Sequence, residues 1–253
     1  MPLPCLVNTL GMRFRLVPAG LTRIGSPLDE HKRSVTDLDR RSEMIARPFW
    51  MAETPTTRRE YLAVIGECPS HFTEDFGGHS GDTCLSSECP VESVSWNKAN
   101  EFCERLSRVP AERQAGRRYR LPSEVEWEHA CRAGAETAFS IGTDLPSDCA
   151  NFDGTFPYID GPPGTYLQRT SPVRSYCPNA FHLFDVHGNV WEWCADLFCP
   201  DALTSAAAAP RVLRGGGWHS YARTCRCSAR DAGEPDIGYF DQGFRIVCVL
   251  EAD

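Results

Sequence analysis

Glycine and proline interrupt this chain so often that long regular elements are excluded. The 253 residues include 20 glycines and 19 prolines, with no internal repeat and no long low-complexity run. Both residue types end helices and strands or force turns. The sequence therefore predicts short elements joined by ordered loops, and long ordered loops in a compact domain often carry the function.

Composition limits the domain count and the class of partner. Hydrophobic residues make up 42% of the chain and aromatic residues 10%, which is enough for a sizeable core. We therefore expect a single domain spanning residues 1–253. The 34 acidic and 26 basic residues give a net charge of −8, without the basic footprint that nucleic-acid binding needs. We expect no nucleic-acid partner.

The chain carries no segment of membrane or export type. It has no run of about 18 apolar residues, and its N-terminus lacks a charged leader followed by an apolar stretch. We expect a cytoplasmic protein without a membrane span. The 13 cysteines are odd in number and contain no CxxC pair, which favours reduced thiols packed as small hydrophobic groups.

Capping residues and periodicity predict three helices. Thr57 and Glu60 have the spacing of a capping box, and Gly66 supplies a stop for that helix. Ser123 and Glu126 form a second capping box. A further helix lies between them, where apolar residues share one face at helical spacing: Ala99, Phe102, Cys103 and Leu106.

The remaining chain predicts short strands. In "MRFRLV", Met12, Phe14 and Leu16 alternate with Arg13 and other residues at the strand period of two. Together with the helices, this pattern indicates an α+β domain with few short helices and strands and much irregular structure.

Five motifs resemble the formylglycine-generating enzyme (sulfatase-modifying factor) family. They occur in the family's order and spacing from about residue 8 to residue 249: "LGMRFRLVPAGLTRIGSP", "CPVESVSWNKANEFCERLS", "YRLPSEVEWEHACRAG", "FHLFDVHGNVWEWCAD" and "RVLRGGGW…SAR…GFRIV". The resemblance implies a C-type-lectin-like fold of the formylglycine-generating-enzyme type.

The family's catalytic cysteines are not matched. The resemblance implies an oxidase that uses two cysteines five residues apart after a Gly-Gly turn, but His219 or Ser220 stands near the first of these positions. Cys225 and Cys227 are only two residues apart, and on a strand they would face the same side. Packing in the core is favoured over a copper-binding thiolate pair. We therefore expect a non-catalytic protein; the alternatives are a thiol-oxidising enzyme that uses these two cysteines and a catalytically dead regulatory paralogue.

Residues 211–247 also resemble the C-terminal frame of the variable proteins of diversity-generating retroelements. In that group a fixed frame, "RVLRGGSW…AR.CR.S.R….PD……GFR", surrounds hypervariable positions that bind a ligand. Gly217 in place of serine and Cys227 are departures. The frame residues match without a gap: Arg211, Val212, Leu213, Arg214, Gly215, Gly216, Trp218, Ala222, Arg223, Cys225, Arg226, Arg230, Pro235, Asp236, Gly243, Phe244 and Arg245.

The positions between the frame residues are the predicted ligand-binding surface. They are His219, Ser220, Tyr221, Thr224, Ala229, Asp231, Ala232, Gly233, Glu234, Ile237, Tyr239, Phe240 and Asp241. The partner implied is an unidentified protein or other macromolecule. Five frame arginines are predicted to tie loop carbonyls together, because guanidinium groups offer several donors in a fixed plane: Arg214, Arg223, Arg226, Arg230 and Arg245. For Tyr239 and Phe240, display on the surface and packing in the core remain equal alternatives.

A calcium site follows from the same family resemblance. In "DVHGNVWE", the carboxylates of Asp185 and Glu192 and the carbonyls of Gly188 and Val190 match the family's ligands. Carboxylate and carbonyl oxygens suit a hard cation that takes six to eight oxygens. We expect calcium here in a structural role; the alternative is an acidic loop that packs its tryptophans inward.

Overall fold

The computed structural model describes residues 4–72, 86–199 and 208–251. Its helices are α1 (Arg58–Ile65), α2 (Trp96–Arg108), α3 (Pro110–Gln114) and α4 (Glu124–Arg132). Its strands are β1 (Cys5–Val7), β2 (Arg13–Val17), β3 (Gly20–Ile24), β4 (Arg41–Ile45), β5 (Phe49–Ala52), β6 (Arg117–Arg120), β7 (Trp191–Leu197), β8 (Arg211–Arg214), β9 (Arg230–Gly233), β10 (Gln242–Gly243) and β11 (Val247–Leu250).

The strands form three small sheets. Five antiparallel strands lie in the order β1-β2-β5-β11-β6, and a four-stranded sheet has the order β10-β7-β8-β9. In the second sheet β10 runs parallel to β7, while β8 is antiparallel to both β7 and β9. Strands β3 and β4 pair separately. This arrangement is α+β, as predicted. Among the described helices, none is long and apolar enough to span a membrane.

Both predicted capping boxes are present. The Thr57 side chain accepts from the Glu60 N–H, and the Glu60 carboxylate accepts from the Thr57 N–H. Ser123 and Glu126 make the same reciprocal pair at the start of α4. Gly66 ends α1 in the left-handed conformation at φ +90°, which glycine adopts without a steric penalty.

The first core cluster lies between the five-stranded sheet and helices α1 and α2. All four apolar residues predicted for one face of α2 are buried in it. In β2 the alternation holds for Phe14 but not beyond, because Leu16 is half-buried and Val17 is fully buried. Helix α3 was not predicted, although Pro110 occupies a first-turn position that favours proline.

Two further clusters complete the core and hold most of the buried cysteines. One packs Trp127 of α4 with Leu183 and Val212, and the other packs Phe139 with Phe152. The buried cysteines in the described ranges are Cys89, Cys103, Cys131, Cys194, Cys225, Cys227 and Cys248. Their burial agrees with the prediction that they pack as small hydrophobic groups.

Candidate functional site

The frame residues of segment 211–247 lie mostly inside the protein. Of the seventeen, the buried ones are Val212, Leu213, Arg214, Gly215, Gly216, Trp218, Ala222, Cys225, Arg226, Pro235, Gly243, Phe244 and Arg245. Arg211 and Arg230 are half-buried, and Arg223 and Asp236 are exposed. The segment is therefore anchored along its whole length rather than only at its ends.

Arg214 connects β8 to the chain that follows it. Its guanidinium is fully buried, pairs with Glu128 of α4 and donates to the carbonyl of Cys227 at 3.0 Å. It also donates to the carbonyls of Ser228, at 2.9 Å, and Ala229. One planar group thus satisfies three consecutive carbonyls of irregular backbone, as the sequence predicted.

Two further arginines anchor the segment to distant parts of the chain. Arg226 pairs with Asp37 at 2.7 Å and with Glu30, both in the loop between β3 and β4. Arg245 makes a two-pronged ion pair with Glu192, with its Nη2 2.7 Å from Oε1 and its Nε 2.9 Å from Oε2. These contacts hold the segment from both sides.

The remaining two frame arginines behave differently from each other. Arg230 makes a bidentate pair with Glu124, with distances of 2.7 and 2.9 Å. Arg223 is exposed, and its guanidinium lies 5.9 Å from the centroid of the Tyr221 ring. The prediction that Arg223 ties loop carbonyls is wrong, because its side chain points to the surface; it is the Arg223 carbonyl that accepts, from Arg226 Nε at 2.8 Å.

Most of the predicted ligand-binding positions lie on the surface. Eight side chains are exposed: His219, Tyr221, Asp231, Ala232, Glu234, Ile237, Tyr239 and Phe240. Tyr239 is 50% exposed and Phe240 39%, so both belong to the surface rather than to the core. The pattern of exposure thus separates the intervening positions from the frame.

Three predicted positions are half-buried and hold the loop itself. The Ser220 hydroxyl accepts from the Gly217 N–H at 2.9 Å, and the Thr224 hydroxyl donates to the Tyr221 carbonyl at 2.9 Å. The Asp241 carbonyl accepts from the Trp191 N–H at 2.7 Å, and burial raises the pKa of the Asp241 carboxyl. These residues shape the loop as well as contributing to its surface.

Ala229 and Gly233 are not available to a ligand. Ala229 is 3% exposed. Gly233 is buried in β9, and a Cβ atom there would lie 2.2 Å from the Trp193 ring, closer than side chains pack. Placing these two residues in the ligand-binding set was wrong, because spacing within the frame does not reveal which side of β9 faces the core.

An aromatic platform is built around Trp218, which is itself buried. The platform comprises His71, Phe72, Tyr166, Trp218, His219 and Phe240. The Trp218 ring lies 5.4 Å from Phe72, 5.5 Å from Phe240 and 6.3 Å from Tyr166 between centroids. Its Nε1 donates to the Phe240 carbonyl at 3.1 Å. The ring of Trp218 therefore supports the more exposed rings around it.

Half of this platform comes from outside residues 211–247. Tyr166 reaches it through its hydroxyl, 2.6 Å from His219 Nδ1, and His71 lies 6.0 Å from the Phe240 ring. No local sequence pattern marks His71, Phe72 or Tyr166, because these loop residues meet the rest of the platform only in the folded chain. Aromatic groups of this kind carry much of the binding energy at interfaces.

A groove lies beside Tyr221, two residues after His219 of the platform. The Tyr221 ring packs 4.5 Å from the Phe156 ring, and the backbone bridges from residue 153 to residue 221. The groove has a volume of ≈ 530 Å³ and is lined by Lys32, Thr155, Phe156, Pro157, Asp160, Gly161, Tyr221 and Arg223. The surface around residues 219–223 thus combines exposed rings with two cationic side chains.

Cys225 and Cys227 do not form a pair that faces a cleft. Both thiols are 0% exposed and they pack in different core clusters, Cys225 near Phe139 and Cys227 near Trp127. Cys225 ends a 3-10 helix (Ala222–Cys225) rather than lying on a strand, so the two side chains do not share a face. Burial raises the pKa of the Cys225 thiol, which disfavours the reactive thiolate.

The predicted calcium ligands do not fit a calcium ion as a set. Both oxygens of Glu192 are taken, by Arg245 and by Trp127 Nε1 at 2.6 Å. The Gly188 carbonyl accepts from the Val190 N–H at 2.9 Å. Of the two predicted carboxylates, Asp185 alone has a buried oxygen, Oδ1, without a partner, and burial raises the pKa of its carboxyl to about 6. The loop therefore supplies one free carboxylate oxygen toward a cation.

The chain is similar to a known family domain over most of its length. The model of the sulfatase-modifying factor enzyme 1-like domain covers residues 11–250. The formylglycine-generating enzyme of Streptomyces coelicolor is 37% identical over an alignment of 181 residues, and the match covers 65% of this chain and 53% of that protein. The chain thus spans about half the length of the curated relatives it matches.

Two solved structures share the fold. PvdO from Pseudomonas aeruginosa superposes with a TM-score of 0.77 at 25% identity, covering 99% of each chain. Treponema denticola variable protein 1 superposes with a TM-score of 0.73 at 24% identity, covering 98% of this chain and 99% of that one. With the five motifs, the α+β architecture and the match over residues 11–250, the chain belongs to the formylglycine-generating enzyme (sulfatase-modifying factor) family.

Proposed function

We propose that this chain is a non-catalytic ligand-binding protein whose surface at residues 211–247 is varied by a diversity-generating retroelement. One observation carries the proposal: thirteen of seventeen frame residues are buried, whereas eight of thirteen intervening residues are exposed. A segment built in this way can change its exposed side chains without changing its core. A rigid frame also lowers the ordering cost of binding.

The aromatic platform and the neighbouring groove support a macromolecular ligand. The exposed rings of His219 and Phe240 lie against Trp218, and the exposed Tyr221 ring packs beside Phe156. Rigid aromatic groups bury large areas with little loss of side-chain entropy. The ligand we propose is a protein surface that accepts aromatic side chains, with Lys32 and Arg223 placed to pair with its carboxylates.

A selection experiment tests the binding claim. The full chain is displayed on yeast with the eight exposed positions randomised, and binders to immobilised serum albumin are selected. A matched library randomises eight exposed positions outside residues 211–247, in or next to β3, β4, β6 and β11: Leu21, Arg23, Arg41, Ser42, Met44, Arg118, Leu250 and Glu251. We expect binders to come from the first library. Equal recovery from both libraries would contradict a dedicated binding surface.

An oxygen-consumption assay tests the catalytic alternative, which the family relationship keeps open. The copper-loaded protein is mixed with a cysteine-containing peptide, and we expect no oxygen uptake because Cys225 and Cys227 are both buried. Uptake that disappears in Cys225→Ala or Cys227→Ala would establish an oxidase. A fixed partner whose binding survives changes at residues 219–221 would instead indicate a regulatory paralogue.

A further inference from the structure

Two thiols and an imidazole meet in the core, away from the proposed binding surface. Cys131 lies near the end of α4, His187 precedes β7, and Cys227 lies in the C-terminal segment. All three are buried, and one ligand atom from each lies within 4.8 Å of the others. The Cys131 and Cys227 sulfur atoms are 3.6 Å apart. Three remote parts of the chain thus bring soft donor atoms together.

The spacing matches that of ligands around one metal ion. Two sulfur atoms bound at about 2.3 Å in tetrahedral geometry are about 3.8 Å apart, close to the observed 3.6 Å. A disulfide would need about 2.05 Å. We propose that Cys131, Cys227 and His187 hold one soft, thiophilic metal ion, of which Zn²⁺ and Cu⁺ are the candidates.

The imidazole is oriented as metal-binding histidines usually are. His187 Nδ1 lies 2.7 Å from the Cys225 carbonyl, which can only accept, so Nδ1 carries the proton. Nε2 is then unprotonated; it accepts from the Ser140 N–H at 3.1 Å and lies 2.8 Å from the Ser140 hydroxyl. An imidazole N–H held by a carbonyl is the common outer-shell contact of a metal ligand. Metal binding would replace both Ser140 contacts at Nε2 with the ion.

The two sulfur atoms are already in contact. The Cys131 thiol donates to the Cys227 sulfur. Coordination of both sulfur atoms as thiolates would release their protons to solvent. The ion would join α4 to the segment that carries the binding surface.

Metal analysis of the intact protein tests the proposal. The exposed cysteines are first alkylated under native conditions, the protein is loaded with Zn²⁺ or with Cu⁺ under reductant, and it is then dialysed. We expect about one equivalent of metal per chain to be retained, with the two arms showing which ion is held more tightly. Cys131→Ala, Cys227→Ala and His187→Gln should each weaken retention by at least about tenfold.

A control variant and an X-ray absorption spectrum complete the test. Cys103→Ala removes a buried thiol from a different cluster and should retain the metal. X-ray absorption of the loaded wild type should give two sulfur ligands and one nitrogen, a result that does not depend on whether variants fold. No retained metal, a Cys131–Cys227 disulfide with a mass lowered by two hydrogens, or retention that the three variants leave unchanged would each overturn the proposal.

Discussion

The carboxylate of Glu192 and the guanidinium of Arg245 form an ion pair with at most 1% exposure on either side chain. Glu192 lies in β7, whereas Arg245 follows β10 and also donates to the carbonyls of Ala52, Glu53 and Phe184. The pair joins the end of the C-terminal segment to the loop before β7 and to the five-stranded sheet. The stability of the frame therefore depends strongly on this contact.

Arg245→Met should lower the free energy of unfolding by about 3–5 kcal/mol, because it leaves the Glu192 charge buried without its partner. Urea denaturation followed by fluorescence measures the change. Adding Glu192→Gln should recover part of the loss. The control is Glu101→Gln, which breaks exposed pairs on α2 and should change stability by only about 0–1 kcal/mol. A loss as small as the control's would show that the buried pair does not hold the frame.

Gly233→Ala should destabilise the protein by about 1–3 kcal/mol, because the new methyl group would meet the Trp193 ring. Ala232→Ser is the matched control at the preceding, exposed position of β9 and should stay within about 0.5 kcal/mol of wild type. Thermal unfolding of the two variants side by side makes the comparison. If Gly233→Ala were as stable as Ala232→Ser, residue 233 would belong with the variable positions.

Substitutions at Trp218 and Phe240 should differ in their effect on stability, because Trp218 is buried and Phe240 lies on the surface. Trp218→Ala removes the buried centre of the aromatic platform and should cost about 3–5 kcal/mol of unfolding free energy. Phe240→Ala changes a ring that is 39% exposed and should cost much less, about 1 kcal/mol or below. Chemical denaturation measures both. If both variants lost the same unfolding free energy, Phe240 would belong to the core and not to the proposed binding surface.

Asp185 should make stability fall as pH rises from about 4 to about 6. Burial raises the pKa of its carboxyl from the ordinary 3.8 to about 6 in the folded protein, so the folded state binds the proton more tightly than the unfolded one. Above about pH 6 the buried carboxyl is ionised, and the free energy of unfolding should then be lower than at pH 4 by about 2–3 kcal/mol. In EDTA, Asp185→Asn should remove this pH dependence in thermal unfolding at pH 4 to 7.5.

The same variant tests calcium. If the ion binds at Asp185 Oδ1, excess calcium should raise the unfolding temperature of wild type at pH 7.5 and leave Asp185→Asn unchanged. Calcium that stabilises both proteins equally, or neither, would leave the loop as an acidic turn that packs Trp191 and Trp193 inward.

Local sequence signals predicted local structure well. The capping boxes at Thr57 and Ser123 depend only on residues three apart, and the structure contains both. The family motifs predicted the fold, which periodicity alone does not reach. By contrast, the burial of Gly233 in β9 depends on Trp193 of β7, two strands away in the same sheet, so no pattern within residues 211–247 could reveal it.

Sites assembled from distant loops were missed for the same reason. Tyr166 and His71 join the aromatic platform only through the fold. Cys131, His187 and Cys227 have no metal-site spacing in the sequence, and they meet because α4, the loop before β7 and the C-terminal segment converge. In each case the sequence shows the type of residue but not the three-dimensional contact that brings the residues together.

Sequencing the DNA around the gene tests the proposed function most directly. We predict a near-copy of the segment that encodes residues 211–247, next to a reverse-transcriptase gene. The two copies should differ at adenines, and the differences should fall in codons of exposed positions such as His219, Tyr221 and Tyr239 rather than in codons of buried frame residues such as Arg214 and Phe244. A locus without such a repeat, or with differences spread over the frame codons, would contradict a diversified binding surface.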